Sequence, residues 1–250
     1  MANSFHESFD NGTGALGNVW GNGLDTSVKG QITLNGSNGG AMQHASGASA
    51  GFGYGDFTVT AKVEGNQVGP AALLWPADDK WPGNEFDFVE VLPDGTSYGT
   101  AHADKGGNWY DARMYWGNDE GGVHTYGIDW QADHVSFSVD GRYAGTIRMN
   151  TNDAAHGGSN VVFGATNKND ATSITVYDMS YTLSGGGTTS STTTSTTKTE
   201  SAPAATVYEA PATSYEPAVV QSEPQQQLSA PAPAPGRRPR RSTATRSRRR

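Results

Sequence analysis

Cysteine is absent from the 250 residues, which excludes a disulfide framework and a thiolate metal site. Long apolar runs are absent as well: no stretch approaches the ~18 residues that a membrane span requires. The six histidines include no His-x-x-x-His pair, so a catalytic transition metal is not expected. Neither a Ser-His-Asp arrangement nor a phosphate-binding loop stands out. No segment of helical length keeps apolar residues at i, i+3, i+4 and i+7, which removes helical folds from consideration. Residues 1–11 lack a basic start and an apolar run of signal-peptide length, so an exported protein is expected to use another route or a leader not present here.

Hydrophobic residues are scarce too, at 34 %, against about 45 to 50 % in an average globular chain. The deficit is unevenly placed. Residues 1–185 hold 8 Lys+Arg against 21 Asp+Glu, net −13, while 186–250 hold 9 against 4, net +5, together the overall −8. The front part reads as one acidic domain long enough for a real core. Behind it come Gly185-Gly186-Gly187, a Ser/Thr tract and Pro/Ala-rich sequence to Pro235, a composition that reads as a disordered spacer. The last 14 residues carry 8 Arg, a charge suited to an anionic polymer or surface. No aromatics interleave with those arginines, so a base-stacking nucleic-acid site is not read there.

Within the front part, short segments alternate in polarity between Gly- and Asn-rich turns. Phe57, Val59, Ala61 and Val63 share one face of a half-buried strand. Asp140-Gly141 between two strand pieces predicts a hairpin. The domain therefore reads as all-β, with the strand spacing of a sandwich or jelly roll.

Charge sits in an unusual place in Trp81-Pro82-Gly83-Asn84-Glu85-Phe86-Asp87-Phe88-Val89-Glu90-Val91. Alternation puts Glu85 and Asp87 on one exposed face but would send Glu90 into the core with Phe86 and Phe88, where an unpaired carboxylate is costly. A β-bulge at Phe88-Val89 removes the conflict and returns Glu90 to the face of Glu85 and Asp87. Three carboxyls in a row have a chemical use, because retaining glycoside hydrolysis needs one ionised nucleophile and one protonated acid. Glu85 and Glu90 are the candidates, with Asp87 hydrogen-bonded to one of them and holding the group in place. Trp75, Trp81, Trp109 and Trp116 cluster around this strand and its successor; aromatic rings of this kind pack on the apolar faces of sugars. Trp20 and Trp130 sit in apolar strands and are assigned to the core.

The Glu-x-Asp-x-x-Glu spacing, preceded by Trp-Pro, resembles the signature of glycoside hydrolase family 16, in its bulged, laminarinase-type branch. Asn84 departs from it, standing where most members carry Gly. His124-x-Tyr126, Trp130 and Asp140-Gly141 also resemble, in order, the strands that follow the catalytic one, so the likeness covers about residues 5–183. It implies a concanavalin-like β-jelly-roll sandwich, expected over residues 1–184; composition alone adds a linker at 185–236 and a basic tail at 237–250. It further implies Glu85 as nucleophile, Asp87 as assisting acid, Glu90 as acid/base, Trp81 beside the cleaved bond and His102 in the cleft. A structural calcium held by Glu7 and Asp178 is implied in the same way; catalysis needs no cofactor.

The expected function is a monomeric, secreted or cell-surface endo-glycosidase that cleaves β-1,3 or mixed β-1,3/1,4 glucan, or a related exopolysaccharide, with retention. Two alternatives remain open: a cell-wall transglycosylase of the same fold, and a lectin-like module that binds sugar without cleaving it.

Overall fold

The structure is a computed structural model and describes residues 4–104 and 109–184, with the backbone alone of Trp109 and Tyr110. The linker and the basic tail lie outside the described residues. Among the described residues, fifteen strands form two antiparallel sheets, joined by turns and one short 3-10 turn at Ala154–His156. No helix among the described residues is long and apolar enough to cross a membrane.

One sheet contains β1 (Ser4–Glu7), β3 (Leu24–Asp25), β4 (Ile32–Leu34), β6 (Gly55–Glu64), β11 (Val123–Gln131), β12 (His134–Val139), β13 (Arg142–Arg148) and β15 (Ser173–Leu183). Its order is β13-β12-β11-β6-β15-β4-β3, with β1 paired to β15. The other contains β2 (Asn18–Gly21), β5 (Gly39–Met42), β7 (Ala71–Pro76), β8 (Glu85–Val91), β9 (Ser97–Asp104), β10 (Trp109–Gly117) and β14 (Val161–Asn167). Its order is β10-β9-β8-β7-β14-β5-β2. This is the jelly-roll sandwich that the alternating pattern led us to expect.

The core fills the space between the sheets. Phe57, Val59, Ala61 and Val63 point inward from β6, and Phe86 and Phe88 point inward from β8. Phe88 stacks on Phe163 of β14, with ring centroids 6.0 Å apart. Truncating Phe88 to Ala would cost roughly 3–5 kcal/mol through lost burial and the cavity left behind. Trp130 is fully buried, and its Nε1 donates to Thr151 Oγ1 at 2.7 Å. The hairpin at Asp140-Gly141 forms as expected: both residues have positive φ, 52° and 73°, the pair of values that a two-residue turn of this hand requires.

The bulge is also found where the polarity conflict placed it. Opposite β9, Asp87 pairs with Thr100 and Glu90 with Tyr98, so Phe88 and Val89 share the single partner position of Gly99. Opposite β7, Val89 pairs with Ala72 and Asp87 with Leu73, which leaves Phe88 as the extra residue. Phe88 and Val89 are both buried, and Glu90 turns back to the outer face.

Candidate active site

Antiparallel partners point to the same side of a sheet, so the register fixes what surrounds the acids on the outer face of the seven-stranded sheet. Glu85 lies opposite His102, Asp87 opposite Thr100 and Glu90 opposite Tyr98. Beyond them on β10 stand Asp111, Arg113 and Tyr115. On the other flank, Glu90 faces Ala71, then Thr166 of β14, Gly40 of β5 and Trp20 of β2. A single row thus crosses the sheet as Trp20, Gly40, Thr166, Ala71, Glu90, Tyr98, Tyr115, with aromatic rings at its ends and small residues between Trp20 and the acid.

This face is sunk rather than freely exposed as the sequence suggested. Glu85 and Asp87 expose only 5 % and 3 % of their surface, and Glu90 is half-buried. Two stacked indoles stand beside this face. Trp75 and Trp81 stack with centroids 5.6 Å apart and planes within 10°, and Trp81 meets the His102 ring edge-on at 5.5 Å. Trp75 Nε1 donates to Asp79 Oδ1 at 2.8 Å, and the Trp81–Pro82 peptide is cis. Asn84 Nδ2 donates to the carbonyls of Asn152 and Ser159, both at 2.9 Å, which pins the loop before Glu85 to its neighbour. A Gly in that position could not make these bonds.

Burial shapes the proton affinities. It raises Glu85 well above the ordinary glutamate value, with the charges of Asp87 and Glu90 adding to the rise and that of Lys168 opposing it. Burial, then the charge of Asp87, pushes Glu90 up to about 7, although Thr100 Oγ1 donates to its Oε2 at 2.5 Å and favours the ionised form. For His102, burial disfavours the charged ring, but bonding to Asp87 and the charges of Asp87, Asp111 and Glu90 outweigh it, so its pKa is raised. The His102 Nε2 lies 3.4 Å from Asp87 Oδ2, so the contact found for Asp87 is with histidine rather than with a glutamate. Carboxyls that raise one another's proton affinity titrate together, and one proton held near neutrality is what acid catalysis needs.

Several assignments change. Trp116 is not in the acid-bearing face: its indole packs toward the interior against Tyr126 and Phe137, at 6.1 and 6.3 Å, because the strand turns it to the side opposite Tyr115. Trp20 is not core. It is half-exposed on the outer face, flat over Gly40, where an added Cβ would come within 2.1 Å of the indole. The Trp109 side chain lies outside the described residues. The calcium pair does not assemble either. Glu7 pairs in register with the core-facing Met179 and accepts from the amides of Phe9 and Ala15, at 2.8 and 2.7 Å. Asp178 points to the other side, beside Thr60, and meets His6 Nε2 at 2.5 Å. Among the described residues no group of three His, Asp or Glu gathers that could hold a metal ion, so these residues do not fit calcium.

Tyr98, Thr100, Asp111, Arg113 and Lys168 were not singled out from the sequence. Tyr98 and Thr100 stand four and two residues before His102, a spacing that shares its face and could have found them. Arg113 needed the pairing of β9 with β10, and Lys168 the crossover that brings β14 beside β7.

The family model for glycosyl hydrolases family 16 matches residues 15–199. No curated protein sequence matches the chain. Among solved structures, a Bacillus licheniformis β-glucanase is similar at 18 % identity and a TM-score of 0.52, over 72 % of this chain and 98 % of that one. A lichenase derived from a mouse hindgut metagenome is similar at 14 % identity and 0.53, over 72 % and 98 %. The Crh5 transglycosylase is similar at 17 % identity and 0.53, over 74 % and 85 %. These likenesses concern the fold, and with the family match over most of its length the chain belongs to glycosyl hydrolases family 16.

Proposed function

We propose that the chain is a retaining endo-glycosidase acting on β-1,3 or mixed β-1,3/1,4 glucan, or on a related exopolysaccharide. The carrying observation is the bulged strand that returns Glu90 to the sunk face of Glu85 and Asp87, with its pKa pushed up to about 7. In the first step the Glu85 carboxylate attacks the anomeric carbon while Glu90 donates its proton to the departing oxygen, so the glycosidic bond breaks as the glycosyl-enzyme ester forms. In the second, Glu90 takes a proton from water, whose oxygen attacks the same carbon and releases Glu85. Asp87, with His102 beside it, raises the proton affinity of both glutamates by its charge.

The row from Trp20 to Tyr115 supports action within a chain. Adjacent strands lie ~4.8 Å apart, close to one β-linked sugar repeat, so about four repeats fit on the Trp20 flank of the acid and about two on the Tyr115 flank. A hexasaccharide is then expected to be cut mainly into pieces of about four and two units. The basic tail is proposed to attach the secreted enzyme to an anionic surface, so that removing residues 186–250 changes attachment and leaves hydrolysis intact.

The test is incubation with β-1,3, mixed-linked and acidic polysaccharides, with new reducing ends and their anomeric configuration followed by NMR. Retained configuration on a neutral β-glucan is the expected result. Absence of new reducing ends on every polysaccharide, with binding preserved, would return the lectin-like reading. Lengthened products in the presence of added oligosaccharide would identify a transglycosylase, in which a sugar hydroxyl replaces water on the same intermediate.

A further inference from the structure

Strand β10 carries two charged side chains that the cleavage scheme does not use. Ala112, Met114 and Trp116 pack against the core, so Asp111, Arg113 and Tyr115 point to the acid-bearing side. They stand two strands from the acids, in the rows of Glu85, Asp87 and Glu90 respectively. Direct contacts tie the group together. The Arg113 guanidinium carbon lies 5.1 Å from the centre of the Tyr98 ring, and that ring meets Tyr115 with centroids 5.5 Å apart. Tyr98 is itself the partner of Glu90 across the sheet.

For folding alone, the charged pair is poorly made. The Asp111 and Arg113 side chains expose only 11 % and 16 % of their surface, yet they meet through one long bond, which Arg113 Nη2 donates to Asp111 Oδ2 at 3.4 Å. Asp111 Oδ1 and Arg113 Nε are buried and bond to nothing among the described residues. A sunk ion pair offsets its lost hydration when its geometry is close and forked and its remaining donors and acceptors are satisfied. Neither condition holds here. Buried polar atoms without partners are rare enough to need a reason, and a ligand that completes them is one.

We infer that Asp111 and Arg113 bind the second sugar from the cleaved bond on the β10 flank, through two of its hydroxyls, and so select a neutral unit at that place in the chain. The position follows from strand spacing: β10 lies about 10 Å from β8, which sets the first sugar over β9 and the second over β10. A guanidinium offers only donors, in a fixed fork, and a carboxylate only acceptors. Neighbouring sugar hydroxyls do both, so one accepts from Arg113 while the next donates to Asp111. The ring of Tyr115, 50 % exposed, gives the apolar face of the same sugar a surface. Charge decides against an acidic substituent, because Asp111 already matches Arg113 and Glu85, Asp87 and Glu90 stand two strands away. The choice of a glucan rests on the proposed function; the unsatisfied pair does not.

The experiment uses the full chain and β-1,3-glucohexaose. Only a cut into four and two units places a sugar on β10, whereas a cut into five and one does not. The ratio of the first products to the second is expected to fall about tenfold in Arg113→Ala, a readout that a change in the folded fraction does not move. In the Glu85→Gln background, Arg113→Ala is expected to weaken calorimetric binding of the hexaose about tenfold as well. Arg113→Lys, which keeps the charge and loses the fork, should recover only part of either loss and carries the test if Arg113→Ala does not fold. An unchanged product ratio, an unchanged affinity, or no binding of the hexaose to Glu85→Gln would overturn the inference. So would tighter binding of a hexaose bearing glucuronyl ends that Arg113→Ala abolishes, since the pair would then be an anion site. If the unaltered chain cleaves no polysaccharide, the proposed function fails by itself, and the titration still decides the role of the pair.

Discussion

Exposed carboxylates at the rim of the eight-stranded sheet and sunk ones on the outer face of the seven-stranded sheet share one chemistry and stand in opposite states. In the turns on either side of β12, Asp133 and Asp140 are held below the ordinary aspartate value by His134 and His124, and at the end of β6 Glu64 is held down by Lys62. On the seven-stranded sheet, Glu85 and Glu90 are raised. Water and a nearby basic group decide the first case; burial among other carboxyls decides the second. A fold stabilised by its acids on one side is burdened by them on the other. Such a burden is expected where the proposed chemistry lies, since a site kept for function can hold groups that weaken the fold.

The contrast breaks most sharply at Glu85. Glu85→Gln removes the proposed nucleophile and is expected to lower kcat/KM on the order of 10⁴-fold, whereas Asp133→Asn in the turn before β12 leaves turnover within about twofold. Initial rates on the best polysaccharide measure both.

Stability responds with opposite signs in the two regions. Between the ordinary value of 4.5 and about 7, native Glu90 holds its proton more tightly than the unfolded chain does. Its contribution is therefore present below that window and lost as pH rises through it. Glu90→Gln should stabilise the protein at pH 8 by up to about 3 kcal/mol, and the gain should vanish near pH 4, as read from denaturant midpoints. For Asp133 the folded value is lowered, so its contribution is present at neutrality and lost in acid. Asp133→Asn should cost a little at pH 7 and nothing at low pH. Should both variants move the midpoint in the same direction at neutral pH, the comparison between the two regions fails.

A smaller effect sharpens the assignment of the acid. The Thr100 hydroxyl favours ionised Glu90, so Thr100→Val raises the Glu90 pKa further and moves the alkaline limb of kcat/KM to higher pH. A limb that stays in place would assign the proton to another group. The smallest change belongs to Asn84→Gly, which loses two bonds to the neighbouring loop and should mainly raise KM through a looser Trp81 wall.

Local pattern carried much of this. Alternation along β6, the Asp-Gly turn and the break in polarity at Glu90 were legible because each depends on residues adjacent in the chain. The bulge in particular follows from the cost of burying one carboxylate, which is the same in any β-sandwich. Trp116 and Trp20 were misread for a shared reason: each lies at the end of a short apolar run, and the side it faces depends on strand partners far away in sequence. Lys168 reaches the acids only because the chain returns β14 to the side of β7.

By itself, the sequence determined the all-β class, the bulged acidic strand and the return of three carboxyls to one face, since strand geometry and the penalty for buried charge act locally. Only the tertiary structure decided which aromatic rings share a face with those acids, that the face is sunk, and that Glu7 and Asp178 stand on opposite sides of their sheet. Those outcomes depend on register across strands distant in the chain, and a shift of one residue there turns every side chain to the other face.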